Sequence, residues 1–148
     1  MILSKKSRYG LRALTDLASG SQAEHMALAE IAERNGISAQ YLEQIFAALR
    51  RAGIVRSVKG PQGGYRLQKE SDQITVAEVV QALDGSYYEQ PEEPGDRCML
   101  RGVVHSLQRM VIDRINRELD GILKEMTLAD LEKDYLQNEQ ADQEMYYI

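Results

Sequence analysis

The sequence predicts a mostly α-helical protein that contains one small β-hairpin. Three observations support this: two short helical patterns are separated by a glycine turn at 35–37, a glycine-rich link at 59–64 joins two strand-like runs, and an apolar stripe extends over 99–126. Helices bury residues at intervals of three and four, whereas β-branched runs bounded by glycine and proline form hairpins. We therefore expect a helix-turn-helix, a hairpin and a long helix, in that order.

The helix-turn-helix is predicted between residues 28 and 51. Its first helix has an apolar face formed by Leu28, Ile31 and Ala32. Gly36 can adopt the left-handed conformation that ends this helix, and Ser38 is a good N-cap for the second helix. The second helix buries Leu42, Ile45, Phe46 and Leu49. Its N-terminal end therefore exposes Ser38, Ala39, Gln40, Tyr41 and Gln44, at the position where a recognition helix meets base edges.

The hairpin follows directly. Residues 53–58 and 65–67 are β-branched, aromatic or alternating, and the link between them holds three glycines and a proline. Glycines allow positive φ at the tip and let backbone N–H groups approach a phosphate, while Lys59 and Arg66 supply positive charge. An ordinary hairpin turn is the alternative, but the preceding helices favour the wing of a winged helix-turn-helix domain.

Positive charge is concentrated in the same part of the chain. Residues 1–67 contain ten Lys and Arg against five Asp and Glu, whereas 68–148 contain eight against eighteen, within a net charge of −5. Distribution matters more to a polyanionic partner than the total. A solvated basic face without a partner is the alternative. Because the basic residues coincide with the helix-turn-helix and the hairpin, we expect double-stranded DNA as the partner.

The second half is organised around the apolar stripe. Its members are Leu100, Val103, Val104, Leu107, Val111, Ile115, Leu119, Ile122 and Met126. A helix from 99 to 126 would be about 40 Å long, more than one small domain needs for its own core, so we expect it to contact a second protomer. The chain then divides into a winged helix-turn-helix domain at 1–84, an acidic linker loop at 85–98, the dimerisation helix and a final helix at 99–136, and a C-terminal tail at 137–148.

Several motifs resemble those of the Rrf2 family of bacterial winged-helix regulators. They are Met1 to Ser4, Tyr9 to Leu14, Leu17 and Ala18, Ser38 to Gln44, Ala52 to Val55, the hairpin, and Ile74 to Val79. The family includes iron-sulfur and nitric-oxide sensors and a cysteine-metabolism repressor, and its members bind DNA as homodimers. The resemblance implies that the DNA contacts are Ser38, Gln40, Tyr41 and Gln44 of the recognition helix with Ser57, Lys59, Pro61, Gly63 and Gly64 of the wing.

Cluster-binding members of this family supply three cysteines from the loop before the long helix. In this chain Cys98 matches the middle cysteine, while Glu92 and Val104 stand at the other two positions. Each iron of a cluster needs soft thiolate ligands held close together, so we expect no cofactor and no metal. Arg97 and Arg101 would favour a thiolate at Cys98, which makes it a candidate redox thiol. A semi-buried cysteine at a helix start is the alternative interpretation.

Other function classes find little support. The glycine-rich link lacks the Gly-Lys-Ser/Thr ending of a phosphate loop, and no His-Glu-x-x-His pattern is present, so we expect no enzyme activity. A protein-binding adaptor is the second class, since winged helices also serve as interaction modules, but the basic helix and hairpin favour DNA. No apolar run suits a membrane span or a signal peptide, and one cysteine agrees with a reducing compartment, so we expect a cytoplasmic protein without a membrane partner.

The last twelve residues carry a different signal, because a polar stretch from Gln137 leads to an apolar tip that contains Tyr146, Tyr147 and Ile148. A tail that folds back onto its own dimer is one interpretation. The tip also resembles that of the cysteine-metabolism repressor, which implies cysteine synthase as a partner. The sequence is thus interpreted as a bacterial repressor of cysteine or sulfur metabolism genes that acts with cysteine synthase. The alternative is a redox or iron-sulfur-type regulator of the same fold that uses Cys98.

Overall fold

The computed structural model describes residues 3–20 and 25–146, which form a set of packed helices and one antiparallel hairpin. The helices are α1 (Lys5–Ser19), α2 (Leu28–Asn35), α3 (Ala39–Arg51), α4 (Val76–Asp84), α5 (Arg101–Leu107), α6 (Asp113–Glu125) and α7 (Leu128–Tyr146), with a 3₁₀ turn at Ser71–Gln73 and a π-helical segment at Gln108–Ile112. The strands are β1 (Val55–Val58) and β2 (Gly64–Leu67). The predicted fold class, mostly α with a hairpin wing, is confirmed.

The helix-turn-helix forms where its turn residues predict it. Gly36 ends α2 in the left-handed conformation at φ 64°, and its N–H bonds back to the carbonyls of Ala32 and Glu33. Ser38 then caps α3, because its Oγ accepts the N–H of Tyr41 at 3.2 Å. Both devices satisfy main-chain groups that a helix end leaves without a partner. The short turn between α2 and α3 is therefore well defined.

The core lies between α1, the helix-turn-helix and the first turn of α7. Its largest fully buried side chains include Leu14, Ile31, Leu42, Ile45, Phe46, Leu49, Ile54, Ile74 and Leu128. Burying one such side chain stabilises the fold by roughly 1.5–3 kcal/mol. The four apolar residues assigned to the buried face of α3 are all in this set, so the opposite face of that helix is left to solvent.

The hairpin is anchored at its base and in its middle. Val55 pairs with Leu67 and Val58 pairs with Gly64. Met26 forms an isolated antiparallel β-bridge with Tyr65 of β2. Its N–H donates to the Tyr65 carbonyl and its carbonyl accepts the Tyr65 N–H, both at 2.9 Å. The Tyr65 ring also packs edge-on against the buried Phe46 ring at 4.9 Å. The wing is thus fixed to α3 and to the segment before α2.

The predicted long helix is present over 101–125, but a π-helical segment divides it into α5 and α6. It starts two residues later than predicted, at Arg101. Leu119 and the buried Leu123 pack with α4 residues such as Val80, while much of the stripe remains open. The exposed apolar side chains of this region are Met99, Leu100, Val103, Leu107, Met110, Val111, Ile115, Ile122 and Met126. One face of the helix therefore serves the chain's own domain and another is left uncovered.

The linker is fixed to α6 at its start, which the sequence did not predict. Tyr87 is buried, and its hydroxyl donates to Asp120 Oδ1 at 2.5 Å, as does Tyr88 at 2.6 Å. Asn116 bonds to both main-chain groups of Glu89, accepting its N–H at 2.8 Å and donating to its carbonyl at 3.0 Å. Among the described residues, the part of the linker after residue 89 makes no such hydrogen bonds to α6.

The final helix continues to Tyr146, so its predicted end near Leu136 is wrong and most of the predicted tail is helical. Thr127 caps it, with its Oγ1 accepting the N–H of Asp130 at 3.2 Å. From 128 to 146 the chain contains neither glycine nor proline and is rich in Gln, Glu, Leu and Ala, which favour helix. Tyr147, Ile148 and the side chain of Tyr146 lie outside the described residues.

Candidate nucleic-acid interface

The start of α3 presents a row of polar side chains to solvent. Ser38, Gln40 and Gln44 are exposed, and Tyr41 is half-buried. The Tyr41 ring meets the Tyr9 ring edge-on, with centroids 5.9 Å apart. The structure therefore brings together the four α3 residues that the sequence singled out. Exposed donors and acceptors on the first turns of such a helix are suited to base edges in a major groove.

The wing carries the second group of predicted contacts. Ser57, Lys59 and Pro61 are exposed on β1 and the following turn, where Lys59 supplies positive charge. Gly60 has φ 115°, the only positive φ in the link between the strands. The tip is held by His25, whose Nε2 contacts the Gln62 carbonyl. No local pattern in the sequence pairs His25 with residue 62.

Gly63 and Gly64 have a structural reason to be glycine. A Cβ at Gly63 would lie 2.2 Å from the carbonyl oxygen of Val58, and one at Gly64 would lie 2.2 Å from that of Met26. Both glycines are half-buried and neither has a positive φ, so of the three glycines in the link only Gly60 supplies the positive φ expected at the tip. Close approach of main chains explains them. Their contact with DNA stays a prediction.

Helix α1 contributes two residues, Arg12 and Asp16, that were not among the predicted site residues but contact the turn. Asp16 pairs with Arg34 in α2 at 2.9 Å, and this contact raises the pKa of Arg34 above its ordinary value. Arg12 donates to the main-chain carbonyl of Asn35 and also lies 5.1 Å from the centre of the Tyr9 ring. These contacts hold the turn of the helix-turn-helix from behind. They join residues distant in sequence, so no local signal could have found them.

Comparison with known proteins identifies the family. The family model for Rrf2, described as an iron-dependent transcriptional regulator, matches residues 3–134. This chain belongs to the Rrf2 family. Like its relatives, it is a DNA-binding transcriptional regulator and not an enzyme. The predicted family and the absence of enzyme activity are thereby confirmed.

Curated relatives and solved structures point to two kinds of Rrf2 regulator. The HTH-type transcriptional regulator IscR of Aliivibrio salmonicida is 43% identical over 128 residues, which cover 82% of this chain and 74% of that protein. The structure of CymR, titled the global cysteine regulator of B. subtilis, superposes with a TM-score of 0.73 at 34% identity, covering 88% of this chain and 95% of that one. T. potens IscR superposes with a TM-score of 0.70 at 36% identity, covering 89% and 86%.

Because the Rrf2 family is described as iron-dependent, we asked whether this chain has the side chains to hold an iron-sulfur cluster. Cys98 is the single cysteine, is half-buried, and donates its N–H to the Gly95 carbonyl at 2.9 Å. Within 3–20 and 25–146, no three side chains of His, Cys, Asp or Glu are grouped as metal ligands. An iron-sulfur cluster is held by several thiolates. The residues of one protomer therefore do not fit such a cluster.

Two further expectations concern a membrane and a protein partner. Every helix within the described ranges is too short or too polar to cross a membrane. The predicted partner-binding residues Tyr146, Tyr147 and Ile148 lie at or beyond the end of those ranges, so their use stays a prediction.

Proposed function

We propose that this Rrf2 regulator represses transcription as a homodimer, with the start of α3 in the major groove and the wing on the sugar-phosphate backbone. The observation that carries the proposal is the exposed row of Ser38, Gln40 and Gln44, on a helix whose other face is buried and against which β1 of the wing packs. Exposed Lys59 extends this surface with positive charge. Phosphate contacts position such a protein, and base contacts give it specificity.

The roles within the surface follow from side-chain chemistry. Gln40 and Gln44 are suited to base edges, because an amide can form two hydrogen bonds with adenine. Ser38 Oγ already accepts the Tyr41 N–H, so its own hydroxyl proton is left to donate to a base or a phosphate. The backbone contacts are assigned to Tyr41, Ser57, Lys59, Pro61, Gly63 and Gly64.

A homodimer accounts for the uncovered stripe. Ile115 is 49% exposed and Ile122 is 53% exposed on α6, whose other face already packs against α4. A contiguous exposed apolar face marks an interaction surface. In a two-fold dimer both recognition helices would meet half-sites roughly 34 Å, or a multiple of that, apart on one side of the duplex.

Salt-dependent titration of two variants tests the DNA surface. Lys59→Ala should weaken binding to every duplex and reduce the salt slope by about one, because it removes one phosphate contact. Gln44→Ala should instead relax sequence preference with an unchanged slope. Lys133→Ala in α7 is the matched control, since it removes an exposed positive charge outside the surface. If Lys59→Ala and Gln44→Ala both bind like the parent, the DNA surface is wrongly assigned.

We propose further that the regulated genes serve cysteine or sulfur metabolism and that cysteine synthase binds the C-terminal end through Tyr146, Tyr147 and Ile148. The near-complete coverage of the CymR chain and the lack of three cysteines support this. Helix α7, which precedes that end, also lines a cleft of about 580 Å³ beside the turn of the helix-turn-helix. Arg12, Asp16, Arg34 and Asn35 line one wall of the cleft, and Leu131, Asp134, Tyr135, Asn138 and Glu139 line the other. A partner on α7 would thus bind next to the residues that hold the turn.

The second candidate is a redox or iron-sulfur-type sensor of the same fold that responds through Cys98. The name IscR of the curated relatives favours it, as do the exposed Arg97 and Arg101 on either side of the half-buried thiol. Iron and sulfide analysis of anaerobically purified protein separates the candidates. The first predicts background iron and a colourless protein. A brown protein that Cys98→Ser bleaches would establish the second.

A further inference from the structure

The last turn of α2 is held from behind by α1. The carboxylate of Asp16 accepts two hydrogen bonds from Arg34, from Nη2 to Oδ1 at 2.9 Å and from Nε to Oδ2 at 3.2 Å. Its Oδ2 also accepts the side-chain amide of Asn35 at 2.9 Å. Arg12 donates to the main-chain carbonyl of Asn35. Two residues of α1 therefore bind both of the residues that end α2.

Asn35 is the residue from which the chain turns toward α3. Gly36 follows it in the left-handed conformation, Ile37 is buried at 6% exposure, and Ser38 caps α3. The N–H of Ile37 bonds back to the carbonyl of Ala32 at 3.0 Å. Gly36 is the one residue of this turn with wide conformational freedom, and it is held in place because its own N–H and that of Ile37 both bond back to α2. The orientation of α3 is therefore coupled to the side chains that hold the end of α2.

We propose that Asp16 is a positioning residue for DNA recognition: by holding Arg34 and Asn35 it sets the angle at which the recognition helix enters the groove. This inference rests on the proposed function, in which the start of α3 contacts bases. Asp16 itself lies behind the turn and contacts no base in this assignment. Its effect on DNA passes through the main chain of the turn.

The contact geometry separates this role from a contribution to folding. Arg34 has a half-exposed side chain, so water can replace the Asp16 carboxylate as its partner. Asn35 keeps a second acceptor for its side-chain amide, the Ile31 carbonyl at 2.9 Å. Removing the Asp16 charge therefore leaves no orphaned charge in the core. What is lost is the two-point geometry of a carboxylate against a guanidinium, which fixes direction as well as distance.

The test measures binding of the full-length chain to two duplexes of about 30 base pairs, long enough for two half-sites. One is selected by the parent chain from a random pool, and the other is an unselected duplex of the same composition. The variants are Asp16→Asn and Arg34→Gln, which break the same pair from its buried and its exposed side. Glu78→Gln is the matched control, because it breaks the Lys69–Glu78 pair, 3.0 Å long, elsewhere in the domain.

We expect Asp16→Asn to bind the selected duplex about tenfold more weakly, within the range of coupling between residues of one network. Binding to the unselected duplex and the salt slope should stay within about twofold of the parent, because the phosphate contacts remain. Arg34→Gln should show the same loss, and the double variant no further loss. The Tm of each variant should fall no more than that of Glu78→Gln.

Two results would overturn the proposal. The first is unchanged binding of the selected duplex by Asp16→Asn or Arg34→Gln, even if Tm falls, which would make the pair an ordinary ion pair. The second is an equal loss on both duplexes, which would indicate general unfolding. Gln44→Ala is included to test the underlying function. If that variant too binds the selected duplex like the parent, the assignment of α3 as the reading element fails, and the inference about Asp16 fails with it.

Discussion

Gly64 lies against Met26 so closely that a Cβ on Gly64 would stand 2.2 Å from the Met26 carbonyl oxygen. The contact is between main chains, and the neighbouring residue Tyr65 exchanges two hydrogen bonds with Met26. The second strand of the wing is therefore locked to the segment that precedes α2. This relationship links the wing to the helix-turn-helix independently of β1.

Gly64→Ala should displace the wing from that segment. A methyl group cannot fit at 2.2 Å from a carbonyl oxygen, so both Met26–Tyr65 hydrogen bonds should weaken and the free energy of unfolding should fall by about 1–3 kcal/mol. Thermal unfolding and DNA titration measure the two consequences. Gly95→Ala is the control, because a Cβ there meets nothing within 4 Å. Equal Tm values for the two variants would contradict the contact.

Val103→Glu should convert the proposed dimer into monomers. Val103 is 61% exposed in one protomer, so a charge there should change the stability of the protomer little. In a two-fold interface the charge of each protomer would be buried, which should destabilise the dimer. Sedimentation velocity measures the change, and DNA binding should weaken with it. Leu136→Glu is the control, since Leu136 is 48% exposed but lies on α7 outside the stripe. A variant that sediments as the parent does would show that the stripe is not the interface.

Asp120 should make the stability of the linker contact depend on pH. Hydrogen bonds from Tyr87, then from Tyr88 and Lys124, lower the pKa of Asp120 to about 2. A carboxyl group whose pKa is lowered on folding stabilises the protein above its unfolded pKa, about 3.9, and that stabilisation is lost as pH falls through the folded value. Urea midpoints of the parent and of Asp120→Asn should therefore differ most above about pH 4 and converge toward pH 2. Asp96→Asn, which removes an exposed carboxylate outside this contact, is the control.

Deleting Ile148 should abolish binding to cysteine synthase and leave the DNA affinity of the isolated dimer unchanged. A terminal carboxylate can be held by backbone N–H groups at a helix N-terminus, and the isoleucine side chain adds an apolar anchor. Calorimetry against the synthase measures the first effect, and DNA titration the second. Gln143→Ala, exposed on α7, is the control with the terminus intact. Synthase binding by the truncated chain would exclude this role for the C-terminal residue.

Local signals predicted the parts of the structure that local physics decides. The left-handed Gly36, the Ser38 cap and the paired hairpin were all expected from sequence, because turns and caps depend on one or two neighbouring residues. The end of α7 was predicted wrongly, since a polar composition was interpreted as a tether although nothing in it breaks a helix. Polarity excludes a buried face, but it does not exclude a helix.

Contacts between distant segments could not be predicted in this way. Asp16 and Asn35 are 19 residues apart, and Tyr87 and Asp120 are 33 apart. Each pair meets only after helices have packed, and neither has a periodic or compositional signature. The exposure of Ser38, Gln40 and Gln44 could be predicted because these residues lie close together at the start of one helix. The residues that hold it in position could not.

The π-helical segment Gln108–Ile112 sets the rotational phase of the two halves of the long helix. Leu107, Val111 and Ile115 follow one another at steps of four, and in a regular α-helix each such step would rotate the next side chain by about 40°. A wider π turn absorbs this rotation and keeps the three on one line. The segment therefore acts as an absorbed one-residue insertion. Deleting a residue within 108–112 would restore a regular helix and leave Leu107 and Ile115 within about 20° of one line, because seven residues make almost two turns. Winding the same residues as a regular α-helix without a deletion would instead turn the face of α5, together with the loop that holds Cys98, about 80° away from that of α6.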